Sequence, residues 1–102
     1  MVIKVTLKRS EIELRLAKLE NWKLRGRRIV RTVRFKTFLD AINFINRVAI
    51  IAEHKNHHPD LRISYNRVTV SLITHDVKGI TDLDFQLAEI INKIIDNFKG
   101  KV

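Results

Sequence analysis

The sequence predicts an α+β fold in which a four-stranded antiparallel sheet carries three helices on one face, in the order α-β-β-α-β-β-α. Three observations predict it. Two pairs of short segments alternate apolar and polar residues across a brief connection, the pattern of two hairpins. Three other segments place apolar residues at helical spacing, each opened by Ser or Thr with Glu or Asp three residues later. No linker, repeat or low-complexity tract divides the 102 residues, so one domain over 1–102 is expected, its apolar helix and sheet faces buried together in layers.

Residues 2–7 alternate and read as a short strand or arm. Ser10 and Glu13 have capping-box spacing, and Ile12, Leu16 and Leu19 form a stripe, which predicts a helix over 11–20 closed by Asn21. Trp22 and Leu24 alternate with Lys23 and Arg25 as a brief strand. Gly26 marks a turn, and the β-branched and aromatic run 28–36 reads as the second strand of the hairpin. Thr37 and Asp40 repeat the capping spacing. Phe38, Ile42, Ile45, Ala49 and Ala52 then follow a helical period, widened by Phe44, Val48 and Ile51, for a helix from 38 to about 54. Pro59 disfavours helical geometry at His58, so the chain turns there. Leu61, Ile63 and Tyr65 alternate, Asn66-Arg67 reads as a tight connection, and Val68, Val70 and Leu72 alternate again. Tyr65 is expected to be a half-buried hairpin residue. Thr81 and Asp84 open a last helix lined by Leu83, Leu87, Ile90, Ile91, Ile94, Ile95 and Phe98, with Gly100 as its stop.

Composition narrows the function classes. There is no cysteine, which excludes disulfides, a thiolate nucleophile and Cys-based zinc sites. Residues 1–8 lack the apolar core of a signal peptide, and the apolar run 48–52 is far too short to cross a bilayer, so a soluble cytoplasmic protein is expected. The net charge of +9 is uneven. Residues 1–36 hold twelve Lys/Arg against three Asp/Glu, whereas 37–102 hold eight of each sign. The excess is densest in Arg25-Gly26-Arg27-Arg28 and continues at Arg31 and Arg34. Such a segment can attract nucleic acid or another polyanion. A solvated, solubilising face is the favoured reading, because no nucleic-acid motif accompanies the charge.

Chemistry concentrates at histidine. His57-His58-Pro59 is followed, seventeen residues after His58, by His75. Imidazole both takes and gives a proton near neutral pH. The pair follows a helix end and His75 follows a strand end, where side chains project from a rigid frame into a cleft. Like charges side by side split their pKa values, so one imidazole can serve as base while another serves as acid. A metal reading stands beside this one: His54 and His58 are spaced i, i+4, with His75, Asp76 or Asp84 to complete a shell. No HExxH motif supports it. No serine sits in a nucleophile elbow, and no Gly-rich phosphate loop exists. Trp22 suits either the core or the wall of a flat-ligand pocket. Asp84 already has a role as capping partner of Thr81.

At these residues the chain resembles the pterin-4a-carbinolamine dehydratases, a family also known as dimerisation cofactors of a homeodomain transcription factor. The resemblance rests on Glu53-x3-His57-His58-Pro59, Tyr65-Asn66-x-Val68, and Leu72-x-Thr74-His75-x3-Gly79-Ile80-Thr81-x2-Asp84-x2-Leu87-Ala88. Upstream, Trp22-x-Leu24, Phe35, Phe38, Ala41, Phe44, Val48-Ala49 and Ala52-Glu53 also fit. It implies the element order read above and dehydration of 4a-hydroxytetrahydropterin to quinonoid dihydropterin without metal or cofactor. It implies that His57 and His75 are the acid/base pair and that His58 binds and orients the pterin. Asn56, Pro59, Thr74, Asp76 and Trp22 are then pocket residues, with Glu53 and Asp84 as supports. Two positions depart from the family's pattern: Leu61 stands where an aromatic residue is frequent, and Asn56 where animal members commonly carry an acid. A homodimer along sheet edges, or a tetramer of such dimers joined by helices, is expected. The alternative is a dimerisation or nucleic-acid-binding module that uses segment 25–34.

Overall fold

The structure is a computed structural model that describes residues 4–98. Its elements are α1 (Arg9–Leu16), β1 (Lys23–Arg25), β2 (Arg28–Arg34), α2 (Phe38–Lys55), β3 (Asp60–Ser64), β4 (Arg67–Leu72), a 3-10 turn (His75–Val77) and α3 (Asp82–Asp96). The strands form one antiparallel sheet in the order β1-β2-β4-β3. The two predicted hairpins are therefore present and join through their second strands, β2 and β4. The expected element order and sheet are borne out.

The pleat sends alternate residues to opposite faces. Ile29 and Val33 of β2, and Val68, Val70 and Leu72 of β4, are buried beneath the helices. From α2 the buried set is Ala41, Phe44, Val48 and Ala52. This corrects the predicted stripe: Phe44 and Val48 are its centre, while Phe38 and Ala49 are exposed. α3 contributes Phe85, Leu87, Ala88, Ile91 and Ile95. Phe35, Phe44 and Phe98 meet with ring centroids 5.0–6.4 Å apart and close one end of the core.

Two of the three predicted caps hold. Thr37 accepts from the Asp40 N–H at 3.0 Å. The Thr81 N–H donates to Asp84 at 2.9 Å, and the Thr81 hydroxyl accepts from the Leu83 N–H. The first does not. α1 starts at Arg9, not residue 11, and Ser10 lies inside it; the Lys8 N–H donates to Glu11 at 3.1 Å, so Glu11 rather than Glu13 reaches back. α1 ends at Leu16, and Leu19 is buried from the turn that follows, where Asn21 takes a left-handed φ of 70°.

The β1–β2 turn needs Gly26, whose φ of 59° glycine adopts without steric cost. The β3–β4 turn is Tyr65-Asn66, one residue earlier than predicted. Asn66 fixes it there: its side-chain amide donates to the Phe35 carbonyl, and its own carbonyl accepts from the Phe35 N–H, each at 2.7 Å. Tyr65 is consequently not half-buried but 69% exposed, at a φ of 52°.

Of the predicted N-terminal strand, residues 2–3 lie outside the described residues. Residues 4–8 form an extended arm and no ladder. The arm is tied by the Leu7 N–H to the Ile80 carbonyl at 2.8 Å. It runs so close to Gly79 that a β-carbon there would sit 2.9 Å from the Thr6 methyl. α3 ends at Asp96, and the predicted stop at Gly100 lies outside the described residues. Among the described residues no helix is long and apolar enough to cross a membrane.

Candidate active site

The end of α2 sets the site. Asn56 takes a left-handed φ of 50°, which Asn tolerates better than most residues, and the His57 N–H returns to the Ala52 carbonyl at 3.1 Å. The next residues run on to Pro59 and β3, so the adjacent histidines diverge. His57 turns inward. Its Nε2 lies 2.6 Å from Asp84 Oδ1, a contact in which the imidazole is 8% and the carboxylate 0% exposed. His58 turns outward, back along α2, with its Nε2 2.6 Å from Glu53 Oε1.

Asp84 is the hub of a buried knot. Its Oδ2 accepts from the Thr81 N–H at 2.9 Å and from the Thr74 hydroxyl at 2.8 Å. The Thr74 oxygen in turn lies 2.8 Å from the Thr81 hydroxyl. A buried carboxylate needs donors on each oxygen. The network therefore assigns the proton on His57 to Nε2, toward Asp84, and leaves Nδ1 as the nitrogen available to take a proton. The capping and orienting roles left open for Asp84 are one role: one oxygen serves the α3 cap and the other the imidazole.

His75 begins the 3-10 turn, in a loop closed at its base by the Thr74 N–H to the Gly79 carbonyl at 2.9 Å. Beside it, the Asp76 carboxyl is held below the ordinary carboxylate range, chiefly by the hydrogen bond and charge of Lys4, with smaller contributions from His75 and then His57. The bonds of Asp84 to His57 and to Thr74, the neighbour of His75, bring the ends of α2 and β4 to one neighbourhood, while His58 faces Glu53 at its margin. Lys4 escaped sequence reasoning, because nothing in the alternation of the arm marks a partner for Asp76.

The remaining candidates fall as follows. Asn56 is exposed at the helix end, Pro59 half-buried, and Thr74 buried with its hydroxyl committed to Asp84. Trp22 is not brought to the histidines. It is 4% exposed, and its indole N–H donates to Asn92 at 2.7 Å. Asn92 lies eight residues along α3 from Asp84, or about 12 Å at 1.5 Å per residue. The apolar pull of the core settles that residue as packing. Among the described residues no three His, Asp or Glu side chains converge closely enough to hold a metal ion. His54 is in the last turn of α2 and His58 lies beyond its cap, so the i, i+4 spacing does not place them on one helix face.

The fold and the site define an α+β layer protein with a histidine held by a buried aspartate where a helix end meets a strand end. The profile of the family described as Pterin 4 alpha carbinolamine dehydratase matches residues 5–94, and the chain belongs to that family. A protein of Thermosynechococcus vestitus is 52% identical over 83% of this chain and 90% of its own length. One of Sulfurisphaera tokodaii is 47% identical over 87% and 96%. Both are named, provisionally, as pterin-4-alpha-carbinolamine dehydratases. A crystal structure of a transcriptional coactivator/pterin dehydratase from Brucella melitensis superposes with a TM-score of 0.84 at 39% identity, covering 88% of this chain and 98% of that one. A pterin dehydratase-like protein identified as a RuBisCO assembly factor in the alpha-carboxysome superposes at 0.64 with 14% identity over 74% of this chain and 89% of its own, and shares the fold.

Proposed function

We propose that the chain is a hydro-lyase that dehydrates 4a-hydroxytetrahydropterin to quinonoid dihydropterin by histidine general acid/base catalysis, in tetrahydrobiopterin recycling. Family membership supports the substrate class. One observation carries the mechanism: the buried Asp84 carboxylate that holds His57 at 2.6 Å also accepts from Thr74, the residue before His75.

A base takes the proton on N5 of the pterin. The C4a–O bond breaks as an acid protonates the departing hydroxyl, the N5 electron pair closes the C4a=N5 bond, and water leaves. His57 and His75 divide these two transfers, and no redox partner is needed. His58 binds and orients the bicyclic ring; Asn56, Pro59 and Asp76 border it. Glu53 supports His58, and Asp84 with Thr74 supports His57. The protein works as one domain in the cytoplasm, without metal or cofactor, as a homodimer or homotetramer. Unpaired edges at β1 and β3, and exposed Leu39 and Ile50 on α2, favour association.

Stopped-flow absorbance of carbinolamine breakdown tests the reading, with and without a chelator. The expected result is a chelator-insensitive acceleration, reduced about 10²–10⁴-fold in His57→Ala and in His75→Ala. A folded wild-type protein that leaves the uncatalysed rate unchanged overturns it.

A further inference from the structure

The sheet has a second face, which the helices leave open. Residues opposite one another in the ladder share a face. The registers Lys23↔Val30, Arg25↔Arg28, Val30↔Ser71, Thr32↔Thr69, Arg34↔Arg67 and Arg62↔Thr69 therefore put Lys23, Arg25, Arg28, Arg34, Arg62 and Arg67 on the face away from the core. Side-chain contacts agree: Arg28 meets both Asp60 and the Ser71 hydroxyl, and the Thr32 and Thr69 hydroxyls lie 3.1 Å apart. These six cations come from all four strands, so the basic surface extends well beyond segment 25–34. The strands supply one carboxylate to the same face, Asp60, and Arg28 takes it.

Two pairs of arginines, Arg25↔Arg28 and Arg34↔Arg67, stand directly opposite each other. Such like-charge pairs destabilise a sheet. A solubilising surface needs only dispersed charge, whereas paired arginines at the two ends of β2, about 20 Å apart at 3.3 Å per residue, with Thr and Ser hydroxyls between them offer cations and donors to several phosphates along a backbone. A shallow depression of about 530 Å³ lies in this face, lined by Arg25, Arg28, Asp60, Arg62, Thr69 and Ser71 among others. No aromatic side chain lies on the face; Tyr65 is in the turn at its end. Stacking platforms for single-stranded bases are thus missing.

We infer that this open face binds the phosphate backbone of duplex nucleic acid without reading sequence. The surface lies across the sheet from the helices that carry the histidine knot, so occupancy leaves the acid/base site free. The binding is electrostatic: cations displace condensed counterions from the duplex, and affinity falls steeply with salt.

Fluorescence anisotropy with a labelled 20-base-pair DNA duplex tests it. Saturable binding is expected at 50 mM salt, alike for two unrelated sequences. With about five phosphates neutralised, affinity should drop about 10²–10³-fold by 200 mM salt. Arg34→Gln with Arg67→Gln should flatten the log–log salt slope by about two and leave dehydration unchanged. Arg25→Gln with Arg62→Gln reads the same face at the depression should the first variant fold poorly. Lys18→Gln with Lys93→Gln, which removes the same charge from the turn after α1 and from α3, should leave the slope as it is. No binding at 50 mM salt overturns the inference. So does an equal loss in the Lys18/Lys93 variant, which makes net charge the cause. So does tighter binding to single strands, or equal binding to a polyglutamate peptide.

Discussion

His57 and His58 are the same residue, adjacent in the chain, and each holds a carboxylate at 2.6 Å. Their physics is opposite. Around His57 and Asp84 the side chains are 8% and 0% exposed; around His58 and Glu53 they are 55% and 77% exposed. Water competes for every hydrogen bond of the outer pair and screens its charge. The inner pair is kept from water, and its carboxylate is satisfied on both oxygens by donors from three separate stretches of chain. Equal distances therefore describe a fixed buried geometry in one case and a movable surface contact in the other.

Breaking each pair in turn separates the two roles. The largest effect is expected in turnover. His57→Gln should lower kcat about 10²–10⁴-fold, because a carboxamide is neither an effective acid nor an effective base near neutral pH. His58→Gln should lower kcat less than about tenfold and raise KM more than it lowers kcat, the signature of a group that binds rather than reacts. Steady-state kinetics on both variants decides this, and equal losses in kcat would erase the distinction. Stability comes next. Asp84→Asn gives up charged hydrogen bonds to Thr81, Thr74 and His57, for an expected loss of about 2–3 kcal/mol in urea unfolding. Glu53→Gln should stay within about 0.5 kcal/mol. Thr74→Val is smaller than the first: it removes one donor to Asp84 and the acceptor of the Thr81 hydroxyl proton, for about 1–2 kcal/mol.

The contrast between the histidines was only half legible in the sequence. The pair, its place after a helix and the later His75 were visible, as were the Thr37/Asp40 and Thr81/Asp84 caps, because each is a local pattern with a local cause. Which histidine turns inward was not visible. It depends on the left-handed Asn56 and on Asp84, 27 residues away. The start of α1 was misread for a related reason. Lys8 has no side-chain acceptor with which to announce itself as a cap, whereas Ser10 does. On α2, apolar residues occur around most of the helix, so periodicity did not single out the Ala41–Phe44–Val48 stripe. Trp22 could not be assigned to core or pocket until Asn92 of α3 was seen to hold it. The sheet's basic outer face needed the register, since Arg62 and Arg67 lie on strands far in sequence from segment 25–34.

The smallest expected effect belongs to the arm. Lys4 pulls the Asp76 carboxyl below the ordinary aspartate value of about 3.9. A carboxyl whose folded pKa is depressed contributes stability that is present above its unfolded pKa and is lost as pH falls through the folded one. The contribution of Lys4–Asp76 is thus complete at neutral pH and disappears only in acid. Carboxyl-carbon NMR titration should place the Asp76 midpoint below 3.9, and Lys4→Met should raise it toward that value. His75 and His57 contribute less to the same shift than Lys4 does, so an Asp76 midpoint that stayed as low in Lys4→Met as in the wild type would move the cause away from the arm.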